Sequence, residues 1–164
     1  RRLDEQNRVR MLNAEYLCDA LDELPGFRSL PRHTDVTVNT VCQFLFRYKK
    51  EEFEGLPRET FAEAMTAEGI PVRLGYDKPL QEYELIARIP DSLPGGHPFT
   101  CGCYKGSVNY AKVETPVTAR LCSEEVLTLS SNVFLGPRSD IDDLIVAISK
   151  VRENVGELLA VTAG

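Results

Sequence analysis

The chain has 164 residues, 43% of them hydrophobic and 27% charged, with a formal charge of −6 at pH 7. That length supports one domain with its own core. The acidic balance excludes a general nucleic-acid binder, which needs a basic footprint, and no apolar run reaches the length of a membrane span.

Residues 1–24 read as one amphipathic helix, with Val9, Leu12, Tyr16, Leu17, Ala20, Leu21 and Leu24 at helical spacing. No capping Ser, Thr, Asp or Asn and no methionine precede it, so it is expected to continue from a longer polypeptide of which this is the C-terminal piece. Its polar first turns would not fold alone, which suits a helix bridging from a larger domain or lying at a subunit contact. Pro25-Gly26 stops the helix, and residues 28–36 look like loop. Residues 38–48 alternate as a strand, with Cys42, Phe44, Phe46 and Tyr48 on one face and Val41, Gln43, Leu45 and Arg47 on the other. A charged turn follows over 49–55, its glutamates forming a solvated face.

Pro57 opens a second helix and Gly69 follows its end, with Phe61, Ala64 and Met65 on the buried stripe. Residues 70–74 make a short strand, completing a β-α-β pattern. Residues 75–114 are rich in proline and glycine and least regular, apart from a short helix at 81–87. Such a long loop in a compact domain is usually functional or disordered. Thr115 and Pro116 start a helix running to about Glu125; residues 126–129 and 133–135 then form short strands around Ser130-Ser131-Asn132. In the last helix Ser139 and Asp142 have capping-box spacing, and Ile141, Leu144, Ile145, Ile148, Val151 and Val155 form the buried stripe. Residues 160–164 read as a frayed tail. The expected fold is an α+β two-layer sandwich, with a small, mainly antiparallel sheet of three or four strands and helices on one face. It forms a single domain over 1–164 with an irregular insertion at about 88–114.

The five cysteines, at 18, 42, 101, 103 and 122, are an odd number. Cys18 in the first helix and Cys42 in the strand suit buried free thiols, and a reduced cytoplasmic protein fits better than a disulfide scaffold. His97, Cys101, Cys103 and Cys122 raise the question of zinc. The His-x3-Cys-x-Cys spacing is not a standard ligand set, and no metal site is expected. This loop reads instead as a lid or subunit contact. Pro94-Gly95-Gly96 precedes no helix start, so it is not a phosphate loop. His33 and His97 accompany no nucleophile elbow. All six lysines stand in polar surroundings, unlike a desolvated Schiff-base lysine.

Four segments carry a resemblance. They are RMLNAEYLCDALDEL at 10–24, residues 61–76 with Gly69-Ile70 before a short strand and Tyr76 just after it, PVTARLCSEEVLTLSSNVFLG at 116–136, and DIDDLIVAISKVREN at 140–154. In order and spacing they resemble the small C-terminal domain of the DegT/DnrJ/StrS aminotransferases. These are fold-type-I, pyridoxal-phosphate enzymes that move an amino group from glutamate or glutamine to a keto sugar or cyclitol. The resemblance implies a large N-terminal domain ahead of Arg1 that holds the cofactor and the Schiff-base lysine, and a homodimer in the parent protein. No residue of this chain then inherits a catalytic or cofactor-anchoring role, and the isolated chain is expected to bind no cofactor and transfer no amino group.

Substrate contacts remain open to it. Tyr76 matches a family tyrosine at the active-site mouth, where a phenol can donate to a substrate hydroxyl while its ring covers the sugar face; the alternative is a tyrosine packed at a strand end. Arg73 could grip a donor carboxylate with its guanidinium fork, or simply face solvent. His97 is a further candidate contact from the irregular loop. The family's usual histidine after the strand that follows the helix at 116–125 is replaced here by Ser130, Ser131 and Asn132. The rival readings are a stand-alone α+β binding or regulatory module without catalysis, and a zinc-stabilised loop domain.

Overall fold

A computed structural model describes residues 2–94, 97–99, 101–106 and 108–162. The chain divides into two compact units, Arg1–Gly75 with Glu124–Gly164, and Tyr76–Ser123.

The first unit is built on a four-stranded antiparallel sheet: β1 (Phe27–Ser29), β2 (Gln43–Tyr48), β3 (Arg73–Leu74) and β4 (Val126–Ser130), in the order β1-β2-β4-β3. Alternation along β2 buries Phe44, Phe46 and Tyr48 and turns Gln43, Leu45 and Arg47 the other way. Register pairs Phe44 with Leu129, Phe46 with Leu127 and Tyr48 with Phe27, so these side chains share one apolar face. Helices α1 (Leu3–Glu23), α2 (Arg58–Ala67) and α6 (Arg138–Glu153) complete the core, contributing Leu17 and Leu21, Phe61 and Met65, and Ile141, Leu144, Ile148 and Val151. The α+β two-layer arrangement is as expected. An aromatic cluster holds its centre: Tyr48 stacks on Phe61 at 4.9 Å, and Phe53 meets Phe27 edge-on at 5.3 Å. Tyr48 is fully buried, and its phenol donates to the Leu56 carbonyl at 2.9 Å. Burial pushes the Tyr48 pKa well above the usual phenol range, with Glu51 and Glu59 adding to the effect. The expected β-α-β unit is present as β2-α2-β3, but β4 is inserted between its two strands.

Several sequence expectations need correction. The buried stripe of α1 is Asn13, Ala14, Leu17, Cys18 and Leu21, while Leu12 is exposed. The stripe turns because the Asn13 amide is drawn inward to donate to the carbonyls of Phe134 and Gly136, each at 3.0 Å. Within 28–36, Arg28 and Ser29 belong to β1, held by pairing with β2 that no local pattern signals. Residues 38–42 are not strand: Val41 takes a positive φ of 21°, and Cys42 is exposed rather than buried. The strand over 70–74 is confined to Arg73 and Leu74. Beyond Arg120 the helix α5 (Pro116–Arg120) widens into a π-helical turn over Leu121–Glu125. Residues 133–135 lie in a 3₁₀ turn, Ser131–Leu135, which drives Phe134 into the core. Pro137, not Ser139, sits at the N-cap of α6, and no side chain caps it. Residues 160–162 of the tail are helical, within α7 (Val155–Thr162), and 163–164 lie outside the described residues.

The second unit contains a 3₁₀ turn Leu80–Glu82, short helices α3 (Glu84–Ala87) and α4 (Ile89–Ser92), a 3₁₀ turn Tyr110–Lys112, and α5. Among the described residues, every fully buried hydrophobic side chain belongs to the first unit, whereas the second exposes Tyr76, Leu80, Leu85, Val113 and Val117. Polar and aromatic contacts run through it. The Gln81 amide donates to the Thr115 hydroxyl and to the Val113 carbonyl at 3.4 Å. Arg88 pairs with Glu84 at 2.6 Å. Phe99 meets Tyr110 edge-on at 6.0 Å.

Candidate functional site

The three candidate substrate contacts are all exposed. Arg73 lies on the edge strand β3, opposite Thr128, whose hydroxyl donates to the Arg73 carbonyl at 3.3 Å. Its guanidinium has no ion-pair partner among the described residues. Tyr76 belongs to the second unit and is 68% exposed. His97, also of the second unit, lies in the irregular loop. No described hydrogen bond joins any two of the three. At the family's histidine position, the Ser130 hydroxyl donates to the Asn132 side-chain oxygen at the end of β4.

Next to Tyr76 stands a small polar assembly that sequence reasoning missed. The Tyr83 phenol donates to the Asp77 carboxylate, and the Lys78 ammonium lies 4.8 Å above the Tyr83 ring. The shared hydrogen bond holds the Asp77 carboxyl below its ordinary pKa and raises that of Tyr83. Nothing in the alternation of residues 77–83 announces this, because the bond forms across a turn of irregular backbone.

The second unit also contains a cavity of about 550 Å³, entirely within its own residues. One wall is apolar, made by Ala87, Ala111, Val113, Pro116 and Ala119. The remaining lining is polar: Gln81, Glu82, Tyr110, Glu114 and Thr115. Thr115 stands at the N-terminus of α5 but its side chain makes no capping bond; it accepts from Gln81 instead. The proline-flanked turns at 79–82 and 114–116 were the available signal, but their meeting depends on tertiary contact.

The lysines do not fit a Schiff-base site. Lys50 donates to Glu124 at 3.0 Å, a contact that raises its pKa, opposite to what a nucleophilic amine needs. Lys150 reaches both Glu68 carboxylate oxygens at 2.7 Å. Lys49, Lys105 and Lys112 are exposed, and Lys78 is half-buried over its ring. Among the described residues, no group of three or more His, Cys, Asp or Glu is arranged to hold a metal ion. No described helix is long and apolar enough to cross a membrane.

The family model for the DegT/DnrJ/EryC1/StrS aminotransferases matches residues 1–134, most of the chain. The chain belongs to that family. Among relatives of this aminotransferase family, L-glutamine:2-deoxy-scyllo-inosose aminotransferase of Streptoalloteichus tenebrarius is 35% identical over 98% of the chain. L-glutamine:scyllo-inosose aminotransferase of Streptomyces griseus is 31% identical over 95% of it. The match covers only 36% of the first relative and 35% of the second, so the chain spans about a third of their length. Among solved structures, 3-amino-5-hydroxybenzoic acid (AHBA) synthase shares the fold, with a TM-score of 0.64 at 18% identity over 91% of this chain and 35% of that one.

Proposed function

We propose that this chain is the C-terminal lobe of a pyridoxal-phosphate aminotransferase that moves an amino group from glutamine or glutamate to a cyclitol ketone or related keto sugar. The observation that carries the reading is the near-complete coverage of this chain by inosose aminotransferases about three times its length. The cofactor and its lysine would belong to a large domain on the same parent polypeptide, and the parent would work as a homodimer. This lobe would shape the substrate mouth and help exclude water from it. Tyr76 would cover a ring face and donate to a ring hydroxyl, Arg73 would meet the donor carboxylate, and His97 would contact the substrate from the loop. Their exposure, and the unpaired guanidinium of Arg73, support these roles.

The reading is tested at the gene. The frame upstream of Arg1 should encode a lysine-bearing domain, and the extended protein should take up pyridoxal phosphate and aminate an inosose. The 164-residue chain alone should gain no bound-cofactor absorbance. Stoichiometric uptake by the short chain, or an upstream frame without such a domain, would refute the proposal. In the extended enzyme, Tyr76→Phe should raise KM for the ring about tenfold, the worth of one substrate hydrogen bond, with little effect on the amino-donor half-reaction.

A further inference from the structure

We infer that Cys101 and Cys103 form a dithiol site that exchanges with low-molecular-weight disulfides and closes into a reversible Cys101–Cys103 disulfide. The inference is independent of the aminotransferase reading, which gives the Cys-Gly-Cys sequence no role. Among the described residues, no group of three or more metal-ligating side chains includes these cysteines. Both thiols are free, with Cys103 exposed and Cys101 half-buried. The Tyr104 amide donates to the Cys101 carbonyl at 3.0 Å, so 101–104 form a hydrogen-bonded reverse turn with Gly102 and Cys103 at its corners. Neither corner has a positive φ, which makes the turn type I. The first corner of such a turn has helical dihedrals, and helix geometry sets Cα atoms two residues apart at about 5.4 Å. A disulfide needs about 4.4–6.8 Å between its Cα atoms, so the turn already holds the pair within reach. Gly102 carries no side chain, and nothing lies within 4 Å of where its Cβ would stand, so the turn has room to adjust as the ring closes.

The surroundings give the two sulfurs different parts. The half-buried Cys101 thiol donates to the Pro98 carbonyl at 3.8 Å, whereas Cys103 is open to solvent and is the first to meet an incoming disulfide. The Cys103 thiolate attacks a small disulfide RS–SR, forming a Cys103–SR bond and releasing one RS⁻. The Cys101 thiolate then attacks the Cys103 sulfur, forming the intramolecular bond and releasing the second RS⁻. The two protein protons end on the two released thiols, so the dithiol loses two electrons and the small disulfide gains them. A disulfide in an exposed turn, closed across a single glycine, is of the readily reduced kind, so excess thiol reverses the step. The other cysteines are not placed for this. Cys18 is buried, and burial pushes its thiol up, away from the reactive thiolate. Cys42 and Cys122 have no second cysteine near them in the sequence.

The experiment treats the 164-residue chain with excess glutathione disulfide, alkylates the remaining thiols and reads the tryptic peptide 89–105, which contains Cys101 and Cys103 and no other cysteine. That peptide should lose the mass of two hydrogen atoms and escape alkylation. It should regain both thiols when the chain is returned to excess reduced glutathione. Cys101→Ser removes the resolving thiol, so its peptide should carry about tenfold more glutathione on Cys103 than the peptide of the parent chain. Two alkylated thiols after oxidation, a parent peptide that stops with glutathione on its cysteines, a bond from either sulfur to Cys42 or Cys122, or a closed bond that excess reduced glutathione does not open would each overturn the inference. The mass of the parent peptide needs no variant, so the test stands even if a substitution disturbs folding.

Discussion

Asn13 shows how much a single polar side chain can settle. It is 6% exposed in the middle of α1, and its amide donates to two carbonyls of the turn that precedes α6. Asn13→Ala removes both bonds and strands two carbonyls in a closed interface, so it should lower stability by about 2–3 kcal/mol, read as a fall in the denaturant midpoint with an unchanged slope. Asn13→Asp should rescue little, since a carboxylate brings no donor. Asp22 governs acid behaviour near the other end of the same helix. Partial burial alone would raise its pKa, but the Ser29 amide and hydroxyl, each at 2.8 Å, and the charges of Arg28 and Arg32 outweigh this and hold it below the ordinary value. A carboxyl with a lowered folded-state pKa contributes fully above its unfolded pKa, and the contribution is lost as pH falls through the lowered folded value. Asp22→Asn should therefore cost about 1 kcal/mol or less at pH 7, after solvent screening, and the gap to the parent chain should close in acid. Denaturation series at neutral and acid pH check this directly.

Among the elements, legibility followed the range of the forces that make them. The long helices and β2 were readable because their apolar periodicity lies within one segment: Phe44, Phe46 and Tyr48 alternate whatever surrounds them. β1 was not, because Phe27–Ser29 is too short to show a pattern and exists through its pairing with β2. Residues 133–135 look like strand by composition, yet Phe134 gains more from the core than from a ladder, and the turn carrying it is fastened by Asn13. Arg73 could be named because it lies on a recognisable short strand, and Tyr76 because it follows that strand where the resemblance places a tyrosine. Gln81, Glu82, Glu114 and Thr115 could not, since only folding joins segments so distant in sequence. The turn between α1 and β1 offers an element-scale test. Gly26 has φ +92°, and a Cβ there would stand 2.5 Å from Cε2 of the buried Phe53 ring. Gly26→Ala should cost about 2 kcal/mol by combining left-handed strain with overpacking of the aromatic cluster, measurable as a lowered Tm.

At the scale of the molecule, apolar burial is distributed unevenly. Among the described residues, the fully buried side chains belong to the first unit, while the second shows short helices, polar ties and half-buried contacts. Local stability follows the density of buried apolar contacts, so the two units should open separately. In native-state hydrogen exchange, amides of α3, α4 and α5 should exchange at least a hundredfold faster than those of β2, β4 and α6. Equal protection across both units would show that the sequence after Gly75 shares the cooperativity of the core.

The pairing of Leu74 with Leu127 gives the second unit a distinctive attachment. These residues face each other across β3 and β4, so the chain departs from the sheet and rejoins it at neighbouring positions. The whole of Tyr76–Ser123 is thus, topologically, an enlarged hairpin connection. Lengthening such a connection adds only a logarithmic entropic cost, and the helices and strands elsewhere need not adjust. A connection wired this way can change its length and content through a single doorway, while the aromatic heart of the sheet stays the same.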